Sequence, residues 1–324
     1  MSRLPPRWLP WVLVPFAAFV LPACGSRKES LRVFAADALS ASFTEIKHEF
    51  ERLHPDVDVT LDVQGSILLT RLAPLRRGDV LAVADHRLIE KILSPKHATW
   101  VAQFATTEIV LASSTSSKRR SEISPENWYD ILLEPKVKYG YADPSQDPCG
   151  YYTRLVWQLA EKHYFTSRGK NRPLATQLAD HCPPTQVARD ALSLISELLG
   201  TAQIDYAFVY RVHAIDLKLP FTPLPKEINL GDRSLARDYA SVRVLVPNYR
   251  GATEEMSGAP IAFGVTIPSD SPNPPRAQEF VRFVLSREGQ EILKRSGFGS
   301  VAPAVVPKWG AVPDFLADVV IPEK

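Results

Sequence analysis

The chain holds 324 residues, 45% hydrophobic and 23% charged, a balance that excludes a disordered or fibrous protein and suits two lobes with their own cores. Its 38 basic and 36 acidic residues leave a net charge of +2, without the basic excess of a nucleic-acid binder. Three cysteines (Cys24, Cys149 and Cys182) are too few and too scattered for a disulfide scaffold or a zinc site. Arg3 and Arg7 precede an apolar run over residues 9–21, and no acid occurs before Cys24. This is the pattern of an export signal, expected over residues 1–23. The run is too short for a membrane span and is interrupted by Pro10 and Pro15. Removing residues 1–23 takes two arginines and no acid, so the mature chain is formally neutral.

Leu21-Pro22-Ala23-Cys24 resembles the bacterial lipobox, which implies an acylated Cys24, a polar tether over residues 24–30 and attachment to a membrane face. Leu31-Arg32-Val33-Phe34-Ala35-Ala36, apolar except for Arg32, reads as a buried strand. Phe43, Ile46, Phe50 and Leu53 then follow helical spacing, with Ser42 and Glu45 as a capping box and Pro55 forcing a stop by His54. Residues 57–63 alternate with period two, Gly65-Ser66 opens a second helix, and residues 79–85 form a third strand. This β-α-β-α-β order builds a parallel sheet, with ligands expected at Asp37-Ala38 and Gly65-Ser66, the loops at the carboxyl ends of strands. Further strands are expected at 108–112, 137–141 and 261–267, and helices at 150–163, 187–199 and 277–294. The proline clusters at 220–225, 268–275 and 303–322 suggest stiff, irregular loops and tail.

Enzyme signatures are missing: there is no Gly-x-Ser-x-Gly elbow, no phosphate-binding P-loop and no His pair at metal-ligand spacing. Cys149 with His163 or His181 as nucleophile and base is the weaker reading of those residues, and a Cys149–Cys182 disulfide in an oxidising compartment the better one. Exported, tethered and two-lobed, the chain has the physical profile of a solute receptor that closes by hinge motion.

Asn127-Trp128-Tyr129-Asp130-Ile131-Leu132, Gly140, Asp143-Pro144 and Asp147-Pro148-Cys149-Gly150-Tyr151 resemble the central signature of the tungstate/molybdate-binding proteins of archaeal-type ABC importers. Gly65-Ser66, Asp79-Val80, Ala84-Asp85, Trp100, Asp205-Tyr206-Ala207-Phe208, Tyr210-Arg211 and Glu227-Ile228-Asn229-Leu230 follow in the same order, and residues 280–299 resemble the last helix of molybdate receptors. The resemblance implies an α/β, type II periplasmic-binding fold with a ligand cleft at the hinge. Lobe I is expected over 31–111 plus 257–324, and lobe II over 112–256. It further implies a monomer that binds the oxyanion without catalysis or cofactor and delivers it to permease and ATPase subunits. No metal is expected beyond that of the bound oxyanion, and nucleic acid is not a partner.

In that family loop hydroxyls and N–H groups hold the anion and two carboxylates complete the metal's coordination. The candidate site carried over is Asp37, Ala38, Ser66, Asp147, Val209 and Tyr210. Asp147 matches the first carboxylate and Ser66 a loop hydroxyl. The second carboxylate position is Val209, which cannot ligate, and the serine expected two residues after Tyr210 is Val212. The first loop reads Ala36-Asp37-Ala38-Leu39 where the family has Ala-Gly-Ser-Leu. Asp37 is then either the displaced second carboxylate or a solvent-facing cap of the following helix. A sulfate or phosphate receptor, or a degenerate lipoprotein serving as an interaction or sensor subunit, are the alternative functions.

Overall fold

The computed structural model describes residues 28–165, 173–247 and 252–323. The expected signal segment and Cys24 lie outside the described residues. Fourteen strands are seen among the described residues: β1 (Glu29–Ala36), β2 (Val57–Gln64), β3 (Val80–Val83), β4 (Ala102–Thr106), β5 (Ile109–Ser113), β6 (Tyr139–Ala142), β7 (Val187–Ala188), β8 (Tyr206–Tyr210), β9 (Phe221–Pro223), β10 (Arg243–Pro247), β11 (Thr253–Ser257), β12 (Ala262–Thr266), β13 (Gly299–Val306) and β14 (Val320–Pro322). Helices are α1 (Ser40–Leu53), α2 (Ser66–Arg76), α3 (Trp128–Leu132), α4 (Pro148–Phe165), α5 (Leu174–His181), α6 (Ala191–Ser193), α7 (Arg211–Asp216), α8 (Ala236–Tyr239), α9 (Pro274–Leu285) and α10 (Arg287–Arg295). None of them is long and apolar enough to cross a membrane.

Seven strands form one sheet in the order β14-β13-β4-β12-β3-β1-β2, and five form a second in the order β7-β6-β8-β5-β9. In the first, β1 lies parallel to both β2 and β3. In the second, β6 lies parallel to β7 and β8. The second half of β1, residues 33–36, is apolar because it is covered on both faces, as in other parallel sheets. α1 buries Phe43, Ile46 and Phe50, and Phe50 meets Phe280 of α9 edge-on with ring centroids 5.1 Å apart.

The chain crosses between the sheets twice, after Thr106 and after Ser257. Asn229 and Leu230 tie the crossings together. Ile109 N–H donates to the Asn229 carbonyl, Ile261 N–H to the Leu230 carbonyl, and the buried Asn229 amide donates to Glu108 Oε2 at 2.9 Å. The first crossing therefore falls at Thr107-Glu108, before the boundary expected at 111. Ile109, Val110 and Leu111 bond to β8 and β9 and belong to the second sheet, and Ser257 pairs with Arg243 in the β10–β11 hairpin.

Other expectations are corrected locally. The capping box is absent: α1 starts at Ser40, and the Ser42 hydroxyl turns back to the Leu39 carbonyl at 3.2 Å. The helix expected over 187–199 is instead β7, the single turn α6 and a wide turn over Leu194–Leu199, because Asp190 caps Ser193 N–H and starts the chain anew. The expected 277–294 helix breaks at Ser286, whose extended backbone ends α9 and whose hydroxyl caps α10. The proline-rich tail is not irregular throughout, since β13 and β14 pair at the sheet edge and Pro303 sits in the register break between Ser300 and Val305. Cys149 and Cys182 are both free, so the expected disulfide is not formed. Each thiol faces a different strand, Cys149 Sγ the Phe208 carbonyl of β8 at 3.7 Å and Cys182 Sγ the Tyr139 carbonyl of β6 at 3.3 Å.

Candidate functional site

Four parallel strands, β1 and β2 of one sheet and β6 and β8 of the other, aim their carboxyl ends at the junction between the lobes. There they release the Asp37–Leu39 turn, the start of α2, the loop leading to α4, and the start of α7. Backbones approach closely. A β-carbon at Gly65 would stand 2.9 Å from the Gln146 carbonyl oxygen and 3.7 Å from the β-carbons of Asp147 and Asp190, so glycine lets α2 begin against the other lobe. One at Gly150 would collide with the Ala142 carbonyl oxygen at 2.1 Å, which explains the glycine of the Asp-Pro-Cys-Gly-Tyr string.

Asp147 is fully buried. Its Oδ1 accepts the Cys149 N–H at 2.9 Å and its Oδ2 the Ala191 N–H at 3.0 Å. Burial nevertheless pushes its carboxyl up to about 7, with Asp190 adding to the shift against those two bonds. Asp37 is 3% exposed and does not cap α1, which removes the solvent-facing reading. Its Oδ1 accepts the Ala38 N–H at 2.9 Å, while Oδ2 has no hydrogen-bond partner among the described residues. Burial raises Asp37 well above the carboxylate range, and the Asp147 and Asp190 carboxylates raise it further. The nearby Leu192 N–H favours the charged form without completing a bond to Oδ2.

Ser66 is buried, and its Oγ accepts the Ala84 N–H at 2.9 Å, a bond that leaves the hydroxyl proton unused. Tyr210 ends β8 with its hydroxyl buried and unpaired, and burial holds it protonated. Ala38 supplies backbone alone. Val209 is enclosed in the core opposite Val110 of β5 and offers only methyl groups.

Two residues of the site escaped the sequence reading. Asp190 lay inside the expected 187–199 helix, although Asp-x-x-Ser is a cap signal. His213 sits in an apolar stretch with Val212 and Ala214 and carries no motif. It is 2% exposed, neither ring nitrogen has a hydrogen-bond partner among the described residues, and Nε2 lies 3.6 Å from Asp37 Oδ2. Burial lowers it to about 4, so the ring is neutral at pH 7. A buried polar group left unpaired costs about 1–3 kcal/mol, which makes this cluster expensive to keep without a further partner. Among the described residues no group of three or more His, Cys, Asp or Glu side chains is placed to hold a metal ion. The Cys149 thiol, raised by burial and then by Asp147 and Asp37, is not activated as a nucleophile.

A second polar cluster bridges the lobes beside this one. Asp85, fully buried after β3, accepts both Arg87 Nε and Nη2, the latter at 2.7 Å, and the Tyr151 hydroxyl of α4 at 2.7 Å. Arg87 also donates to the Ser257 carbonyl of β11 at 2.9 Å and to the Tyr152 hydroxyl at 3.3 Å. Burial alone would raise Asp85, but the Arg87 guanidinium and the Tyr151 hydroxyl hold it below the ordinary carboxylate range.

Comparison with known proteins agrees with this architecture. The family model described as a bacterial extracellular solute-binding protein matches residues 31–299. An uncharacterized solute-binding protein of Petrotoga mobilis is 37% identical over 274 residues, covering 84% of each chain. The molybdate/tungstate-binding protein WtpA of Pyrococcus abyssi is 31% identical and covers 91% of each. The periplasmic molybdate-binding protein of Azotobacter vinelandii superposes with a TM-score of 0.57 at 14% identity, covering 84% of this chain and 99% of that one. The two sheets joined by two crossings are the type II periplasmic-binding fold, and the chain belongs to the bacterial extracellular solute-binding protein family.

Proposed function

We propose that this protein is the receptor of an ABC importer for an oxyanion of the tungstate and molybdate class, held where Asp37, Ser66, Asp147 and Tyr210 converge. The observation that carries the reading is the pair of buried carboxylates, Asp37 from lobe I and Asp147 from lobe II, each raised by burial and Asp37 raised further by Asp147. The hard, high-valent metal of tungstate or molybdate can take two further oxygen ligands from such groups, whereas the sulfur of sulfate cannot. The amino ends of α2 and α4 and the hydroxyls of Ser66 and Tyr210 supply donors for the outer oxygens. The second carboxylate has thus moved from the position of Val209 to the turn after β1. Export, acylation at Cys24, a monomeric state and handover to permease and ATPase subunits complete the proposal, and the protein binds without catalysing.

Calorimetric titration with sodium tungstate, molybdate, sulfate and phosphate tests it. Binding of tungstate and molybdate at least a hundredfold tighter than sulfate or phosphate is expected. Tight sulfate or phosphate binding without tungstate binding would overturn it, and binding of none of the four would favour the interaction or sensor role.

A further inference from the structure

Four buried polar atoms from both lobes lie in one place without a hydrogen-bond partner among the described residues: Asp37 Oδ2, both ring nitrogens of His213, and the Tyr210 hydroxyl. Asp37 and Tyr210 have roles toward the anion in the receptor reading, and His213 has none. Its side chain is nevertheless 3% exposed, so bulk water does not satisfy it. Tyr210 ends β8 and His213 lies in the first turn of α7, which brings the two ring centroids to 5.7 Å. Val212 and Ala214 on either side are buried as well, so packing holds the ring in place without a hydrogen bond of its own.

The ring reaches across the lobe junction. His213 follows β8 of the second sheet and Asp37 follows β1 of the first, yet Nε2 stands 3.6 Å from Asp37 Oδ2. That is too far for a hydrogen bond between them. Asp37 does not depend on His213 for its orientation, since Oδ1 already accepts the Ala38 N–H at 2.9 Å. The spacing suits a donor aimed one atom beyond Oδ2. Neighbouring oxygens on a six-coordinate centre with ligand distances of about 2 Å lie about 3 Å apart. A donor that just misses Oδ2 is therefore within reach of an anion oxygen held beside it on the same metal. Imidazole carries an N–H donor whether neutral or protonated, so the contact does not rest on the charge of the ring.

Resting on the receptor reading above, we propose that His213 is a binding residue for the anion, donating from Nε2 to the anion oxygen that lies beside Asp37 Oδ2. The donor comes from one lobe and the neighbouring carboxylate from the other, so the bond exists only with the lobes together. His213 thereby adds to the differential affinity of the anion for the closed state.

The test combines calorimetric titration of the full mature chain with sodium molybdate and nitrogen-15 NMR of its histidine side chains. In the wild type the ring N–H resonance of His213 should move downfield and exchange more slowly with solvent once molybdate is added. His213→Phe keeps a ring and removes the donor, and should raise the molybdate Kd about 10- to 100-fold. Its ligand-free melting temperature should equal or exceed that of the wild type, because an unpaired buried polar group has gone, whereas loss of a residue that only supports the fold would lower it. His213→Gln restores an N–H and should recover part of the affinity. A His213→Phe Kd within twofold of wild type, or a His213 ring N–H resonance unchanged by molybdate that the wild type binds, overturns the inference and leaves the receptor reading standing. If the wild type binds neither molybdate nor tungstate, both readings fall. The wild-type resonance, assigned through the residue's own backbone, decides the matter even if a variant does not fold.

Discussion

Tyr151→Phe isolates the contact that joins the lobes beside the candidate site. The hydroxyl it deletes donates from α4 in lobe II to Asp85 Oδ2 in lobe I at 2.7 Å, with both residues buried. Arg87 remains bidentate on Asp85, so the variant does not strand a buried charge. Hydrogen bonds to charged groups contribute about 1.5–3 kcal/mol, and the surviving Arg87 contacts place this one near the lower end, about 1.5–2 kcal/mol. In the open state both groups are hydrated and the deletion costs little, so the loss falls on the closed state. That corresponds to about a 10- to 30-fold shift toward the open form, and to the same rise in apparent Kd for an anion that binds only the closed form. Calorimetry would give the Kd, and small-angle scattering at subsaturating anion the fraction closed. Tyr152→Phe is the milder comparison: its hydroxyl accepts a long bond from Arg87, at 3.3 Å, and interacts with Asp85 more weakly than the 2.7 Å Tyr151 bond, so a smaller change than for Tyr151→Phe is expected. A Tyr151→Phe Kd within twofold of wild type, with unchanged scattering, would refute the latch.

Ligand-free stability carries two opposing pH effects. The Asp147 contribution, with its carboxyl raised to about 7, is full below its unfolded value near 4 and is lost as pH rises through 7, whereas that of His213, lowered to about 4, is present above about 6.5 and is lost as pH falls toward 4. His213→Gln should therefore gain melting temperature relative to wild type as pH falls from 7 to 4.5, and parallel melting profiles would contradict the assignment. At the amino terminus, Cys24→Ala should abolish fatty-acid labelling and shift the protein from the membrane to the soluble fraction. Unchanged membrane association would count against the lipid anchor.

The elements that sequence patterns made legible are those whose burial is one-dimensional. The apolar second half of β1, the alternation at β2 and the Phe43, Ile46, Phe50 stripe of α1 depend on what each segment must hide, and hiding is written in the local pattern. Breaks were harder to see. Ser286 interrupts an amphipathic pattern that continues on both sides, so the two helices α9 and α10 read as one. β4 was missed because Gln103 sits within its short apolar run, and its amide is accounted for only by His86, 3.2 Å away in the fold. Asp37 and Ser66 were accessible because loops after parallel strands announce themselves, whereas Asp147 and Tyr210 were reached through the resemblance to tungstate/molybdate-binding proteins. The role of His213 was not, since a histidine among Val212, Ala214 and Ile215 is an ordinary core residue until both ring nitrogens prove unpaired.

Closure brings two opposed effects into one junction. The latch stabilises the closed state through Tyr151 and through the Arg87 bonds to Ser257 and Tyr152, a few kcal/mol by the scale of such bonds. The same movement sets the Asp37 carboxyl of one lobe against Asp147 and Asp190 of the other, and these add to burial in disfavouring its charged form. The latch favours closure, and the acids oppose it to the extent that they carry charge. A bound group that offsets the carboxylate charge, such as the metal centre of an oxyanion, then removes the term that opposes closure. The acids that weaken anion binding in a static site make closure depend on the ligand in a hinged one.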